Sequence, residues 1–185
     1  MRIVAGTHGG RRLKAPAGHR VRPTPDRVRE ALFSILADRV EGARVLDLYA
    51  GTGALGLEAL SRGAAYAKFV EQSHSVVRVL EDNIVSLGFE DRASVRSGRL
   101  PGVLAAIADT EAPFDLILAD PPYEQGQTER LLEAPALMAL AAPGALLVVE
   151  TRKTEKPPLG LWHLYERRQY GDTSLIFLTR QDEDT

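Results

Sequence analysis

Val45-Leu46-Asp47-Leu48-Tyr49-Ala50-Gly51-Thr52-Gly53-Ala54-Leu55-Gly56 decides the fold. Arg44–Leu48 is a short apolar run of strand character, and Ala54–Arg62 follows at helical spacing. Between them, glycines 51 and 53 let the chain turn sharply from strand to helix and let a ligand lie against bare backbone. The helix then points its N-terminus at whatever sits in the bend. GTGALG by itself also fits the G-x-G-x-x-G of nicotinamide enzymes, so the glycines establish a nucleotide-type bend and nothing narrower.

Working outward, the same alternation continues. Tyr66–Glu71, Ala93–Arg96, Phe114–Asp120 and Ala145–Glu150 read as further strands, with helical stretches at Ser75–Leu87, Leu100–Ala108 and Thr128–Leu140 between them. Strands alternating with helices imply an α/β fold whose parallel sheet is covered on both faces. The end of the chain breaks the pattern. Trp162–Arg168 and Thr173–Thr179 are joined by Tyr170-Gly171-Asp172 without a helix, which predicts a β-hairpin and an antiparallel last strand. Upstream, Ile3–Ala5 and Arg11–Lys14 flank Gly9-Gly10 as a small hairpin, and Gly18–Pro25 reads as an irregular arm. Thr24-Pro25 has the form of a cap followed by proline at the first helical position. The helix it opens buries Val28, Ala31, Leu32, Ile35 and Leu36. The expected division is a basic N-terminal extension over residues 1–40 and an α/β domain over 41–185.

Charge is distributed unevenly. Residues 1–30 hold eight Arg and Lys against Asp26 and Glu30, a charge of +6. With the whole chain at −2, the remainder carries −8. A basic arm on an acidic body is the footprint of a protein that meets a phosphate backbone, and Arg11, Arg12, Lys14, Arg20 and Arg22 are its expected RNA contacts. There is no cysteine, hence no disulfide framework and no thiolate metal site. The longest apolar run, Ala134–Val149, is broken by Pro135 and Pro143-Gly144 and is too short to span a bilayer. The expectation is a soluble, cytoplasmic protein.

Two carboxylates narrow the cofactor. Asp47 lies four residues before Gly51, where it can accept from an ammonium group, and Glu71 ends the next strand, where a carboxylate can hold both ribose hydroxyls. Glu71 suits a nicotinamide or a sulfonium cofactor equally. Asp47 favours S-adenosylmethionine, because a carboxylate beside a pyrophosphate is repulsive. Asp47, Tyr49, Gly51, Gly53, Glu71 and Gly98 are the expected cofactor residues, and no acid stands beside Ser97-Gly98 to receive the adenine amine.

The second constellation is Asp120-Pro121-Pro122-Tyr123, delivered by an apolar strand to the sheet edge where open α/β folds bind ligands. The exocyclic amine of a base is a poor nucleophile because its lone pair is delocalised into the ring. Acceptors on its two hydrogens free that pair, and Asp120 Oδ with the Pro121 carbonyl supplies them. Paired prolines remove two backbone donors and stiffen the turn. Tyr123 offers a face on which a flipped base stacks. Such chemistry needs no metal. Guanine, adenine and cytosine all present an amine that these acceptors fit. Methylation of adenine N6 or cytosine N4, a nicotinamide dehydrogenase, and a non-catalytic ribosome-assembly factor remain the competing readings.

Taken together, the motifs resemble one family. Arg2-Ile3-Val4-Ala5-Gly6, Gly10-Arg11-Arg12-Leu13, Arg22-Pro23-Thr24, Val28–Phe33, Asp47–Gly56, Asp120–Tyr123 and Tyr170–Thr173 are similar to the RsmD family of 16S rRNA guanine-N2 methyltransferases, over nearly the whole chain. The resemblance implies a class I S-adenosylmethionine-dependent fold, Rossmann-like, with a seven-stranded sheet and a reversed last strand. It also implies S-adenosyl-L-homocysteine as by-product and a guanine of small-subunit RNA as target, within a 30S subunit or an assembly intermediate. On it, Asp120, Pro121, Pro122 and Tyr123 hold the base, and Asp47, Gly51, Gly53 and Glu71 hold the cofactor.

Overall fold

A computed structural model describes residues 1–16, 26–122 and 126–180. The arm Gly18–Pro25, with Arg20, Arg22 and the Thr24-Pro25 cap, lies outside the described residues, as do Tyr123 and the tail from Gln181.

The chain runs α1 (Asp26–Leu36), β1 (Arg44–Leu48), α2 (Ala54–Ser61), β2 (Tyr66–Glu71), α3 (His74–Leu87), β3 (Ala93–Ser97), α4 (Leu104–Ala108), β4 (Phe114–Ala119), α5 (Gln127–Leu132), α6 (Pro135–Leu140), β5 (Ala141–Arg152), β6 (Trp162–Tyr170) and β7 (Thr173–Arg180). One seven-stranded sheet has the order β3-β2-β1-β4-β5-β7-β6. The first five strands are parallel, β7 is antiparallel to both of its neighbours, and β6 closes the edge as the hairpin partner. This is the expected architecture. Central β1 is buried along its last four residues, as a strand covered on both faces must be.

Two apolar layers sandwich the sheet. One face carries Leu57, Leu60, Phe69, Leu80 and Phe177 together with Ile3, Leu13, Val28 and Phe33 from the N-terminal segment. The other carries Leu104, Phe114, Leu131, Leu137 and Trp162. Helix α2 is buried along nearly its whole length because residues 1–8 cover its outer side. The covering is a backbone docking onto side chains. Glu58, fully buried, accepts from the amides of Val4 (2.6 Å) and Ala5 (3.0 Å), and Ser61 Oγ donates to the Ala5 carbonyl at 2.7 Å.

Three local expectations are corrected. The N-terminal hairpin is shorter than expected, one antiparallel bridge from Arg2 to Arg12 with the Ile3 amide donating to the Arg11 carbonyl and the Leu13 amide to that of Met1, because the amides of Val4 and Ala5 turn to Glu58 and those of Thr7 and His8 to Ser61. The helix expected from Leu100 begins only at Leu104, since Pro101 and Gly102 form a turn. The helix expected over Thr128–Leu140 is two, because Ala134 before Pro135 is extended (φ −73°, ψ 117°) and Pro135 starts α6 afresh.

Candidate functional site

The parallel register gathers the chemistry at one edge. Leu48 pairs with Ala119, so the residues that follow, Tyr49 and Asp120, leave β1 and β4 side by side, and the Asp120 amide points to the Leu48 carbonyl at 3.4 Å. Glu71 pairs with Ser97 across β2 and β3, which brings Gly98 alongside, and the Gly98 amide donates to the Glu71 carbonyl at 3.0 Å. Asp47, Tyr49, Gly51, Gly53, Glu71, Gly98 and Asp120 therefore share the carboxyl edge.

The bend after β1 is held by carboxylates from both sides. Glu71 Oε2 accepts from the Gly51 amide at 3.0 Å and its Oε1 from the Ser73 amide at 2.8 Å. Asp47 Oδ2 accepts from the Gly56 amide in the first turn of α2 at 2.8 Å. Gly51 (φ +55°) and Gly53 (φ +84°) both lie in the left-handed region, but they differ in surroundings. A side chain at Gly53 would strike Leu80 Cδ1 at 2.4 Å, whereas at Gly51 the nearest atom is the Tyr49 carbonyl oxygen at 4.0 Å. Gly53 is a packing glycine. Gly51 leaves open backbone for a ligand.

Burial pushes the Asp47 carboxyl well above its usual 3.8, and the charges of Asp120 and Glu71 push the same way, against the Gly56 hydrogen bond. Three carboxylates thus converge on the bend, a field that welcomes a cation. Beside them is a small cavity of about 40 Å³ lined by Tyr49, Val70, Glu71, Gln72, Gly98 and Leu100. An adenosine-type ligand fits this chemistry. Within this lining Glu71 is the one carboxylate that could accept from a diol, Val70 and Leu100 are apolar walls, and no other acid stands beside Gly98. Tyr49 is the one non-glycine residue with positive φ (59°) among the described residues. Its hydroxyl is buried without a partner among them, and burial raises it to about 12.

Of the Asp120–Tyr123 motif, Asp120 is half-buried, Pro121 is buried and Pro122 is exposed. The side chains of Arg11 and Lys14 reach the C-terminal half of α3. Arg11 donates to the Ser86 carbonyl at 2.9 Å, and Lys14 pairs with Asp82 at 2.9 Å, both exposed. Arg12 is exposed on the bridge.

Three supporting residues escaped the sequence reading. Asn83, the only asparagine in the chain and fully buried, accepts from the Lys14 amide (2.8 Å) and donates to the carbonyls of Lys14 (3.1 Å) and Thr52 (3.0 Å). It ties the basic segment to the glycine bend. Glu58 and the fully buried Arg29 form the second clamp, which also takes in Arg62 and Asp26. A lone Asn between Val77 and Ile84 on an otherwise apolar helix face was the available signal for Asn83; Glu58 within an apolar helix was the other.

A family model described as "Conserved hypothetical protein 95" matches residues 1–179. The Escherichia coli K12 protein named "Ribosomal RNA small subunit methyltransferase D" is 33% identical over 98% of this chain and 90% of its own length. A solved hypothetical protein from Thermus thermophilus superposes with a TM-score of 0.80 at 34% identity, covering 96% of this chain and 98% of the other. A further chain, solved in complex with SAH, is 11% identical with a TM-score of 0.63 over 83% of this chain and 48% of that one. At that identity the likeness is one of fold.

Proposed function

The chain belongs to the RsmD family, and from that premise we propose that it transfers a methyl group from S-adenosylmethionine to the exocyclic N2 amine of a guanine in small-subunit ribosomal RNA. Its fold is the class I methyltransferase fold, Rossmann-like with an antiparallel last strand. The observation that carries the reading is the convergence of Asp47, Glu71 and Asp120 on an open glycine bend, close enough that Asp120 and Glu71 both act on the carboxyl of Asp47.

When bound, the cofactor supplies an electrophilic methyl on a sulfonium. Glu71, which holds the Gly51 amide, would also accept from the ribose hydroxyls, Asp47 would receive the methionine ammonium directly or through water, and Gly51 would let the ligand lie against the main chain. Tyr49 and Gly98 would wall the adenosine end. Asp120 Oδ and the Pro121 carbonyl accept the two amine hydrogens, which frees the nitrogen lone pair. Asp120 or water then takes the proton released on alkylation. The two prolines contribute no competing donor and hold the acceptors in place before the base arrives. Tyr123 belongs to this reading as the stacking face. Transfer itself is governed by positioning.

Arg11, Arg12 and Lys14, with Arg20 and Arg22, neutralise phosphates on the RNA, free or within a 30S particle. The Lys14–Asp82 pair is exposed and weak, so a phosphate can replace the carboxylate. The test uses labelled cofactor, small subunits lacking the modification, and mass spectrometry of the product nucleosides. Wild type is expected to yield N2-methylguanosine, and Asp120→Ala none, with RNA and cofactor binding retained. A different methylated base refutes the guanine assignment; an active Asp120→Ala refutes the acceptor role.

A further inference from the structure

The N-terminal arm is one cationic region of a chain whose remaining residues carry −8. A second lies on the carboxyl edge itself. Beyond β5, an open concavity of about 420 Å³ is lined by Arg152, Lys153, Thr154 and Asp172. Arg152, Lys153 and Thr154 are exposed. Among the described residues, Lys153 makes no ion pair.

The surroundings reinforce the positive charge. Arg167 sits beneath the loop, its Nη2 donating to the carbonyls of Lys153 (3.2 Å) and Glu155 (2.7 Å) and to Ser174 Oγ (3.4 Å), so its charge meets no carboxylate among the described residues. Glu155, the nearest acid in sequence, is turned to the base of the loop: Oε1 accepts from buried Thr128 at 3.1 Å and Oε2 from the Arg152 amide at 3.3 Å. Asp172 is the acid on the rim, and its carbonyl accepts from the Lys153 amide at 2.8 Å, which fixes the loop.

Position decides what this surface meets. Val149 pairs with Ala119, so Glu150 stands level with Asp120, and Arg152 is two residues farther along the neighbouring strand. Strand spacing and rise put their backbones about 8 Å apart, a distance one nucleotide spans. In the sheet order, β1 with its glycine bend lies on one side of β4 and β5 lies on the other. A base held at Asp120 therefore has the cofactor bend on one flank and this cationic loop on the other.

We propose that Arg152, Lys153 and Thr154 seat a backbone phosphate of the substrate RNA adjacent to the target nucleotide, across Asp120 from the cofactor bend. The proposal rests on the methyltransferase reading and adds the strand's path, from the N-terminal arm over the reaction centre to the β5 rim. A phosphate takes charge-assisted hydrogen bonds from both cations and the threonine hydroxyl. The contact positions the strand and carries no base information.

The test compares Lys153→Ala and Arg152→Ala/Lys153→Ala with Arg39→Ala, an exposed cation bonded to the Gly144 carbonyl at the start of β5, on the opposite edge. Each protein is assayed for cofactor affinity by calorimetry, and for KM, kcat and the salt dependence of binding on the RNA or particle that wild type methylates. The rim double variant is expected to raise KM about tenfold and to flatten the log–log salt slope by about 0.7 for each phosphate left without its cation. Its kcat and cofactor affinity stay within twofold, and Arg39→Ala stays near wild type. Equal KM and slope for the rim variants and Arg39→Ala overturn the phosphate seat while leaving the activity intact. A wild type that binds and methylates no RNA overturns both this proposal and the reading beneath it.

Discussion

The two glycines of the bend make separable predictions, because the structure gives them different costs. In Gly53→Ala the new methyl meets Leu80 Cδ1 at 2.4 Å and Leu57 Cδ1 at 3.1 Å, both side chains fully buried, on a backbone at φ +84°. The left-handed conformation costs about 1–2 kcal/mol and the overpacking about 1–3 more, so destabilisation of about 2–5 kcal/mol is expected. Gly51→Ala carries the first cost without the second, since at φ +55° its methyl has no neighbour nearer than 4.0 Å. It should lose about 1–2 kcal/mol of stability. Binding inverts the order. The Gly51 methyl occupies the open face where the cofactor approaches, beside the amide that Glu71 holds at 3.0 Å, so affinity for S-adenosylhomocysteine should fall about tenfold or more, some 1.4 kcal/mol. Urea denaturation at constant m and calorimetric titration read the two quantities. Adding Leu80→Ala to Gly53→Ala should recover about 1–3 kcal/mol relative to the sum of the single changes, because it removes the atom that clashes. If Gly51→Ala destabilises as much as Gly53→Ala, or binds cofactor as wild type does, the division of labour in the bend is wrong.

Asp47 gives a pH signature. Its folded-state pKa is raised, chiefly by burial, so its contribution to stability is full below the unfolded value of 3.8 and is lost as pH rises through the folded value. Asp47→Asn removes that loss. Denaturation followed as pH rises above the usual carboxylate value of 3.8 should show the variant gaining on wild type, with weaker cofactor binding throughout; parallel curves would show that the carboxyl titrates normally. Tyr49→Phe deletes a buried hydroxyl that lacks a partner among the described residues. Its melting temperature should hold or rise, and a loss of more than about 1 kcal/mol would reveal a hydrogen bond. Glu58→Gln removes the charge facing fully buried Arg29 and partly buried Arg62. It should cost about 3–5 kcal/mol and accelerate hydrogen exchange at the Val4 and Ala5 amides before any other protected site; uniform acceleration would place the effect in global unfolding instead.

The sheet was legible because its signals are local and periodic. β1 and β2 have the bounds that their apolar runs imply, and the hairpin at Tyr170-Gly171-Asp172 announces the reversed strand. β5 is longer than expected: Ala141 already pairs with Phe114, regular pairing resumes at Leu146 with Leu116, and Pro143-Gly144 sits in the bulge between them, with Gly144 at φ +74°. The errors at α4 and across α5 and α6 have a common origin. Helical periodicity was extended through prolines whose effect on the preceding residue is as local as the periodicity itself.

The site divides the same way. That Asp47, Gly51, Glu71 and Asp120 come together was legible because strand ends in a parallel sheet share an edge, so sequence position implies spatial position. Asn83 could not be found by that rule. It joins Lys14 to Thr52 across separations of 69 and 31 residues from the middle of a helix, and no strand register predicts such a contact. Yet it decides how the basic segment relates to the glycine bend. One amide, buried and making three hydrogen bonds, holds the backbone leading into the arm and the carbonyl between Gly51 and Gly53 at once. An unpaired buried polar group costs about 1–3 kcal/mol, so neither segment can leave Asn83 without penalty to the other. The N-terminal extension is thus tied to the glycine bend through Asn83, although its charge and its short turns read in sequence as a separate appendage.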